Sequence, residues 1–229
     1  MNTNYDIIIL STACSRPDLH NQSFPSYLKF VEGLRVKWIV TVNTLYGSLE
    51  ETKENIHMIA DKYNVDVDIF GYDTGGTIRD WYNSVRKLII TACENYQPKI
   101  GYLWLEDDWK WNGTVPLTNL IANLPKENWY FDMFGRGWVS FNPGLWSVDA
   151  FKRICYDKQP AVEDIDVILA KWNPERMCTY DREKNHPGPV TNSVNVTVKK
   201  LFDEIGTSWQ RKNLRKKFDG RGRTFLENE

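Results

Sequence analysis

Three consecutive acids, Glu106, Asp107 and Asp108, end the apolar run YLWL inside YLWLEDDWKW (102–111), with tryptophans on both sides. Like charges repel, and carboxylates against an apolar wall are poorly solvated, so this cluster is costly unless it meets a cation. Two carboxylates one residue apart, one closing a strand and one in the following turn, suit a hard divalent ion. Mg2+ or Mn2+ takes oxygen ligands and keeps positions open for phosphate oxygens. A solvated acidic turn is the competing reading, and the preceding apolar run weighs against it. A second acidic pair, Glu163 and Asp164, sits at the start of VEDIDVILAKW (162–172). Acids there either complement a helix macrodipole or hold a general base against a hydroxyl, while Asp166 reads as capping or surface. His186, in NHPGP, is either an exposed loop imidazole or a further metal ligand. Gly75 and Gly76 precede a helix start, where bare backbone admits an anion or a base, and Arg79 and Asn83 follow four apart on one face of that helix.

The elements that must position these residues alternate in type. YDIIILST (5–12) is a first strand, broken at Pro17 before a helix at about 22–33; KWIVTVN (37–43) is a second strand, ending on Asn43. SLEETKENIHMIADKYN (48–64) is a helix with Ser48 as N-cap and Glu51 closing a capping box. VDVDIFGY (65–72) alternates as a half-exposed or edge strand does, a long helix spans 77–96, and IGYLWLE (100–106) is the next strand. This rhythm predicts an α/β fold, a largely parallel sheet between helices, with ligands collecting at the carboxyl ends of the strands. The second half is less regular. It reads as one or two strands in 129–141, a turn into a short helix in 142–154, a helix at 162–172 and a loop at 177–194. A basic segment, 211–223, reads as a surface helix and an extended end. Three stretches of one domain follow: 1–110 as a nucleotide-binding half, 111–198 as an acceptor and catalytic half, and 199–229 as a basic C-terminal tail.

Composition narrows the class. The chain has 229 residues, 41% of them hydrophobic and 26% charged, with a net charge of −1, so neither nucleic-acid binding nor a disordered acidic chain is indicated. Ten Trp and eleven Tyr supply rings that stack on sugars, with core packing the default for each; Trp109, Trp111, Trp138 and Trp146 lie near strand ends. Cys14, Cys93, Cys155 and Cys178 are scattered without a C-x-x-C pair, which predicts reduced thiols, no zinc site and a cytoplasmic setting. No basic leader and no apolar span of about 20 residues is visible.

LEDD after a strand resembles the D-x-D region of GT-A fold glycosyltransferases, in the form LDDD common in their family-2-like branch. IIILSTACSRPD is similar to the first strand and loop that hold the donor's base in that family. GGTIRDWYNSVRK resembles its helix approaching the nucleotide, FNPGLWSV its acceptor-side turn, and VEDIDVILAKW its E-D motif. The pieces fall in the family's order across roughly 5–195. Glu106 stands where the family has Asp, and Lys171 where it often has Arg. The resemblance implies a Rossmann-like GT-A domain and a metal-dependent, inverting hexosyltransferase-type enzyme. Its donor is a nucleotide sugar, UDP-sugar being the commonest and GDP- or dTDP-sugars the others; its acceptor is a hydroxyl of a glycan or another molecule. Carried over residue by residue, it makes Asp108 the metal ligand with His186, and Asp164 the base with Glu163 positioning the acceptor. Thr12, Arg16, Asn43, Gly76, Arg79, Asn83, Glu106 and Asp107 become the donor's contacts, with Asp107 in support. The basic tail closes over the diphosphate, touches an anionic membrane, or is a solvated face. A nucleotidyltransferase and a non-catalytic carbohydrate-binding module are the alternatives.

Overall fold

The computed structural model describes the backbone of residues 3–44, 47–72, 78–127, 129–133, 143–156, 176–181, 186–189, 201–218 and 224–228, with side chains at 3–44, 47–71, 85–127, 129–133, 143–153 and 201–209. Twelve strands are described: β1 (Ile7–Cys14), β2 (Val36–Asn43), β3 (Asp66–Tyr72), β4 (Gly101–Trp104), β5 (Trp109–Trp111), β6 (Trp129–Asp132), β7 (Gly144–Ser147), β8 (Arg176–Asp181), β9 (His186–Pro189), β10 (Phe202–Glu204), β11 (Leu214–Phe218) and β12 (Thr224–Asn228). The helices are α1 (Pro17–Phe30), α2 (Leu49–Lys62), α3 (Ile78–Asn95), α4 (Leu117–Ile121), α5 (Val148–Tyr156) and α6 (Gly206–Asn213).

Eight strands form one sheet in the order β3-β2-β1-β4-β7-β6-β8-β9. β1, β2, β3 and β4 pair in parallel, as do β6 and β8; β7 runs antiparallel between β4 and β6, and β9 is antiparallel to β8. The sheet is therefore mixed and mainly parallel, as the alternating elements predict. From β1 the chain builds outward to β3, then returns through α3 to place β4 on the other side of β1. That reversal is the topological switch at which open α/β sheets bind ligands.

Side chains on successive strand residues leave opposite faces, so a sheet buried on both sides needs apolar residues at every position. Ile7, Ile9, Trp38, Val40, Val42, Leu103 and Leu105 pack with Phe24, Tyr27 and Leu28 of α1 and Ile56, Ile59 and Ala60 of α2. Ile8, Leu10, Ile39, Tyr102 and Trp104 turn the other way, onto Val85, Leu88, Ile89 and Ala92 of α3 and Phe151 of α5. Gly101 admits the close approach of β7: a Cβ there would stand 2.1 Å from the carbonyl oxygen of Trp146.

Several local expectations change. Pro17 opens α1 instead of holding a loop before it, because its fixed φ and missing N–H suit a first helical turn. Residues 144–147, expected as a turn, form a central strand, and Trp146 within it has no exposed surface. Trp146 and Trp109 are core rings and not sugar platforms. His186 starts a strand and not a loop, opposite Asp181 at the carboxyl edge of the sheet. The thiol expectation is also corrected: Cys93, buried on α3, is disulfide-bonded, while Cys14 is free. Ser48 caps α2 as expected, accepting from the Glu51 amide at 3.4 Å. Among the described residues no helix is long and apolar enough to cross a membrane.

Candidate active site

The pairing of β1 with β4 continues past the last residue of β4. The Leu105 amide donates to Leu10 O at 2.9 Å and the Asp107 amide to Thr12 O at 3.1 Å. The acidic triplet therefore keeps the pleat's alternation as it leaves the sheet. Glu106 follows Trp104 to the α3 face, where the Thr12 hydroxyl donates to its Oε1 at 3.3 Å. Asp107 follows Leu103 and Leu105 to the α1 face. Asp108 lies in the turn between β4 and β5.

Asp107 is fully engaged with protein. Its carboxylate accepts from the Cys14 amide at 2.9 Å, from Arg16 Nε at 3.2 Å and from Arg16 Nη2, and it lies 3.2 Å from His20 Nε2. All three side chains are buried, Arg16 at 5% exposure and His20 at zero. Burial alone would raise the Asp107 carboxyl, but Arg16 and His20 outweigh it and hold the group below its ordinary value. This charged anchor fastens the start of α1 to the acidic turn. Tyr27, one further α1 residue, donates its hydroxyl to the Glu106 carbonyl.

Its two neighbours are in the opposite condition. Burial, then the charges of Asp108 and Asp107, push the Glu106 carboxyl well above the usual range. Burial, then Asp107, push Asp108 up to about 7. Asp108 Oδ1 is buried with no hydrogen-bond partner among the described residues. Two mutually repelling carboxyls with an orphaned oxygen fit a divalent cation, which would supply the missing charge. Among the described residues no group of three or more His, Cys, Asp or Glu is placed to hold a metal. A protein contribution of one or two carboxylates is how Mg2+ is commonly held when phosphate and water fill the remaining positions.

The triplet opens onto a cavity of about 110 Å3 lined by Thr12, Cys14, Arg16, Thr41, Asn43 and the three acids. Ala13 and Val42 complete its wall. Thr12 and Asn43 thus lie where the first two strand ends were expected to meet a nucleotide. Arg16 lines the same wall; its Nε and Nη2 are committed to Asp107 and the side chain is buried, so it is not solvated. Burial pushes the Cys14 thiol up to about 12, which keeps it protonated and unreactive.

Arg79 and Asn83 lie on the first turns of α3, and His186 begins β9 at the same carboxyl edge as the triplet, four strands along from β4; their side chains lie outside the described residues. Gly76, Glu163, Asp164 and Trp138 lie outside the described residues altogether.

Sequence reasoning missed His20 and Trp209. His20 stands one helical turn after Arg16, so starting α1 at Pro17 would have paired them on one face. Trp209 comes from far along the chain. β10 pairs antiparallel with β5, and the Ile205 and Gly206 amides donate to the Asp108 carbonyl at 2.7 and 3.2 Å. The Trp209 ring then covers the Arg16 guanidinium, 5.3 Å from its centroid. No local signal in the sequence announces this return.

No protein-family profile and no curated protein matches the sequence. Solved structures do resemble the fold. A mannosyltransferase from Pyrobaculum calidifontis, PcManGT, in complex with GDP-Man and Mn2+, superposes with a TM-score of 0.50 at 10% identity over 71% of this chain and 49% of that one. The glycosyltransferase GlyE of Streptococcus pneumoniae TIGR4 gives 0.43 at 15% identity, over 72% of this chain and 43% of its own. Mouse xyloside xylosyltransferase 1 gives 0.39 at 10% identity, over 65% and 68%. The chain spans about half the length of the first of these. The fold is a GT-A-like, Rossmann-like glycosyltransferase fold, as the ordered motifs implied.

Proposed function

We propose that the chain is a metal-dependent glycosyltransferase that moves a sugar from a nucleoside-diphosphate sugar to an acceptor hydroxyl. One observation carries the reading: at the β1/β4 switch point, Glu106 and Asp108 are strained by uncompensated charge while Asp107 between them is saturated by protein donors. A structural acidic turn would have neutralised all three or left them in solvent.

In this reading Asp108, with Glu106 beside it, holds Mn2+ or Mg2+, and the bound ion supplies Lewis-acid stabilisation of charge developing on the diphosphate. Asp107 takes no part in ligation. It fixes the turn's backbone so that its neighbours face the cavity. Thr12 and the Trp109 side chain hold Glu106, which faces a ribose hydroxyl or a metal-bound water. Asn43, Gly76, Arg79 and Asn83 contact the donor. Asp164 accepts the proton of the acceptor hydroxyl, a role worth about 10²–10⁴-fold, Glu163 orients the acceptor, and transfer inverts the anomeric centre. The donor nucleotide is UDP by family frequency; the structural neighbour crystallised with GDP-Man makes GDP the alternative.

Calorimetry of UDP and GDP with and without Mn2+ tests the site: binding requires the cation and disappears in Asp108→Ala. Metal-independent binding of equal strength would remove the ion from the scheme. Asp164→Asn retains donor binding and loses transfer; undiminished turnover would reassign the base.

A further inference from the structure

A larger opening lies at the other edge of the sheet. The length of β2 from Asn43 back to Val36, about 23 Å, separates the acidic strand end from a cavity of about 1270 Å3. It sits between the ends of α1 and α2 and the starts of β2 and β3. Open α/β sheets collect ligands at their carboxyl edge, so the fold alone does not account for a recess at the amino edge. Local turns create it. Gly33, at φ 86°, and Asn64, at φ 53°, reverse the chain sharply after the two helices and leave the space between them open.

The floor of the recess is apolar, with Leu28, Val31 and Val36 buried beneath it. Three half-buried rings, Tyr5, Tyr63 and Trp111, stand on its wall. Three cations surround them. Lys29 and Lys62, on the last turns of α1 and α2, make no ion pair among the described residues, and Lys62 Nζ stands 6.0 Å from the centre of the Tyr63 ring. Arg35 is 62% exposed and lies 3.7 Å from Asp6, a carboxylate it shares with Lys99. Of the two acids on the wall, Asp66 is already satisfied, by Lys37 Nζ at 2.8 Å and by the Tyr5 hydroxyl, which donates to it at 2.5 Å. Only Glu32 is left to set against the cations. Helix macrodipoles account for a lysine at each helix end, but Arg35 lies outside both helices.

Half-buried rings with polar side chains between them match a sugar, whose C–H face stacks and whose hydroxyls project at its rim. The surplus of positive charge selects an acidic sugar. Glu32 and Asp66 on the same wall, and a net charge of −1 for the chain, disfavour a polynucleotide. A flat bilayer does not enter a recess between two helix ends. We propose that the amino-edge recess is a second, non-catalytic site that binds an acidic oligosaccharide. Tyr63 and Trp111 stack on its rings, and Lys29, Arg35 and Lys62 pair with its carboxylates. The site goes beyond the transfer reaction and needs no metal, so it stands independently of the roles of Glu106 and Asp108. Lying a strand's length from the acids, it retains a glycan on the protein and does not present the reacting hydroxyl.

Calorimetry and two-dimensional 1H–15N NMR of the full chain with tetragalacturonate, without Mn2+ or nucleotide, test this. Tetragalacturonate shifts the resonances of Gly33, Tyr63, Asn64 and the Trp111 indole N–H, and its affinity falls as salt is raised. Replacing both exposed lysines, Lys29→Gln with Lys62→Gln, weakens binding by about 5-fold, the size of two exposed charge pairs. Tyr63→Leu weakens it by about as much through the lost ring contact. Asp108→Ala leaves it unchanged, even where UDP binding with Mn2+ disappears. No shift at those resonances, or equal binding of neutral maltotetraose, would overturn the proposal. Hexaglutamate binding as tightly as tetragalacturonate would replace the saccharide with an acidic peptide. Loss of tetragalacturonate binding in Asp108→Ala would assign it to the acidic strand end and remove the second site.

Discussion

Asp108 makes an unusual prediction, that removing a charge from a candidate active site strengthens the cation-free protein. Its carboxyl is held at about 7 against an ordinary value of 3.8, so the folded state binds this proton more tightly than the unfolded state does. Stability attributable to the group is complete below pH 4, falls as pH rises, and has been lost once pH passes 7. At about 1.4 kcal/mol per pKa unit, the roughly three-unit displacement sets a ceiling of about 4 kcal/mol. Sharing of charge with Glu106 and Asp107 lowers the realised figure to about 1–3 kcal/mol. Asp108→Asn keeps the shape and removes the charge. For a chain of this length each kcal/mol moves Tm by about 2–4 °C, so the variant melts several degrees above the parent at pH 8. That gap narrows at pH 5.5, where the parent's own Asp108 is largely protonated. Mn2+ closes the gap from the other side: at 100 times Kd it adds about 2.7 kcal/mol to the parent and little to the variant. Differential scanning calorimetry at the two pH values, with and without Mn2+, supplies all four numbers. A variant that melts at or below the parent at pH 8, or a difference that ignores pH, would refute the claim that Asp108 is electrostatically strained.

Asp107→Asn moves stability the other way, because it strands Arg16 without its buried counter-charge; a loss of about 3–5 kcal/mol is expected in urea titration, and a neutral result would deny Asp107 its anchoring role. Since that carboxyl is held below its ordinary value, its contribution is present above the carboxylate range and disappears as pH falls through it. Phe202→Ala costs about 3–5 kcal/mol, as for a core aromatic, which distinguishes a domain that includes 201–204 from one with a detachable tail; unchanged stability would make those residues dispensable. Cys93→Ser lowers Tm under oxidising conditions, by about 2–4 kcal/mol of stability, and reductant brings the parent down to the same level; insensitivity to reductant would rule out the disulfide.

What the sequence disclosed follows from which interactions are local. The first four strands and three helices are legible because burial on both faces writes continuous apolar runs, as in IIIL and YLWL, and amphipathic helices write a period between them. Ser48 is legible because a cap and its receiving amide lie three residues apart. Gly144–Ser147 is not, since a four-residue central strand is too short to show a period and its glycine reads as a turn. Its need for a small residue is set by Tyr130, whose ring atoms lie 2.5 Å from a Cβ built at Gly144. The same limit divides the candidate site. The acids are visible as a cluster. Their differing roles depend on Arg16, His20 and Glu204, which reach them across 91, 87 and 96 residues of chain.

That division of labour explains why three adjacent acids persist at a buried strand end at all. A single carboxylate there would be pulled toward whichever donors lie nearest, and Arg16 and His20 on α1 are nearest. Asp107 occupies those donors, and because the pleat alternates, its commitment to the α1 face forces Glu106 to the other face and leaves Asp108 on the turn. The central acid thus takes the direct hydrogen bonds of that positive charge, and what Arg16 still exerts on Asp108 is outweighed by burial and by Asp107. The outer two carboxyls are kept short of charge by the protein and receptive to a cation from solution. Exchanging the roles by moving the cation partner, as in Arg16→Met, should release Asp107 and destabilise the turn, and should weaken Mn2+ binding although Arg16 itself ligates nothing. Mn2+ affinity unaltered in a folded Arg16→Met protein would mean that the outer acids face the cavity for some reason other than the anchor between them.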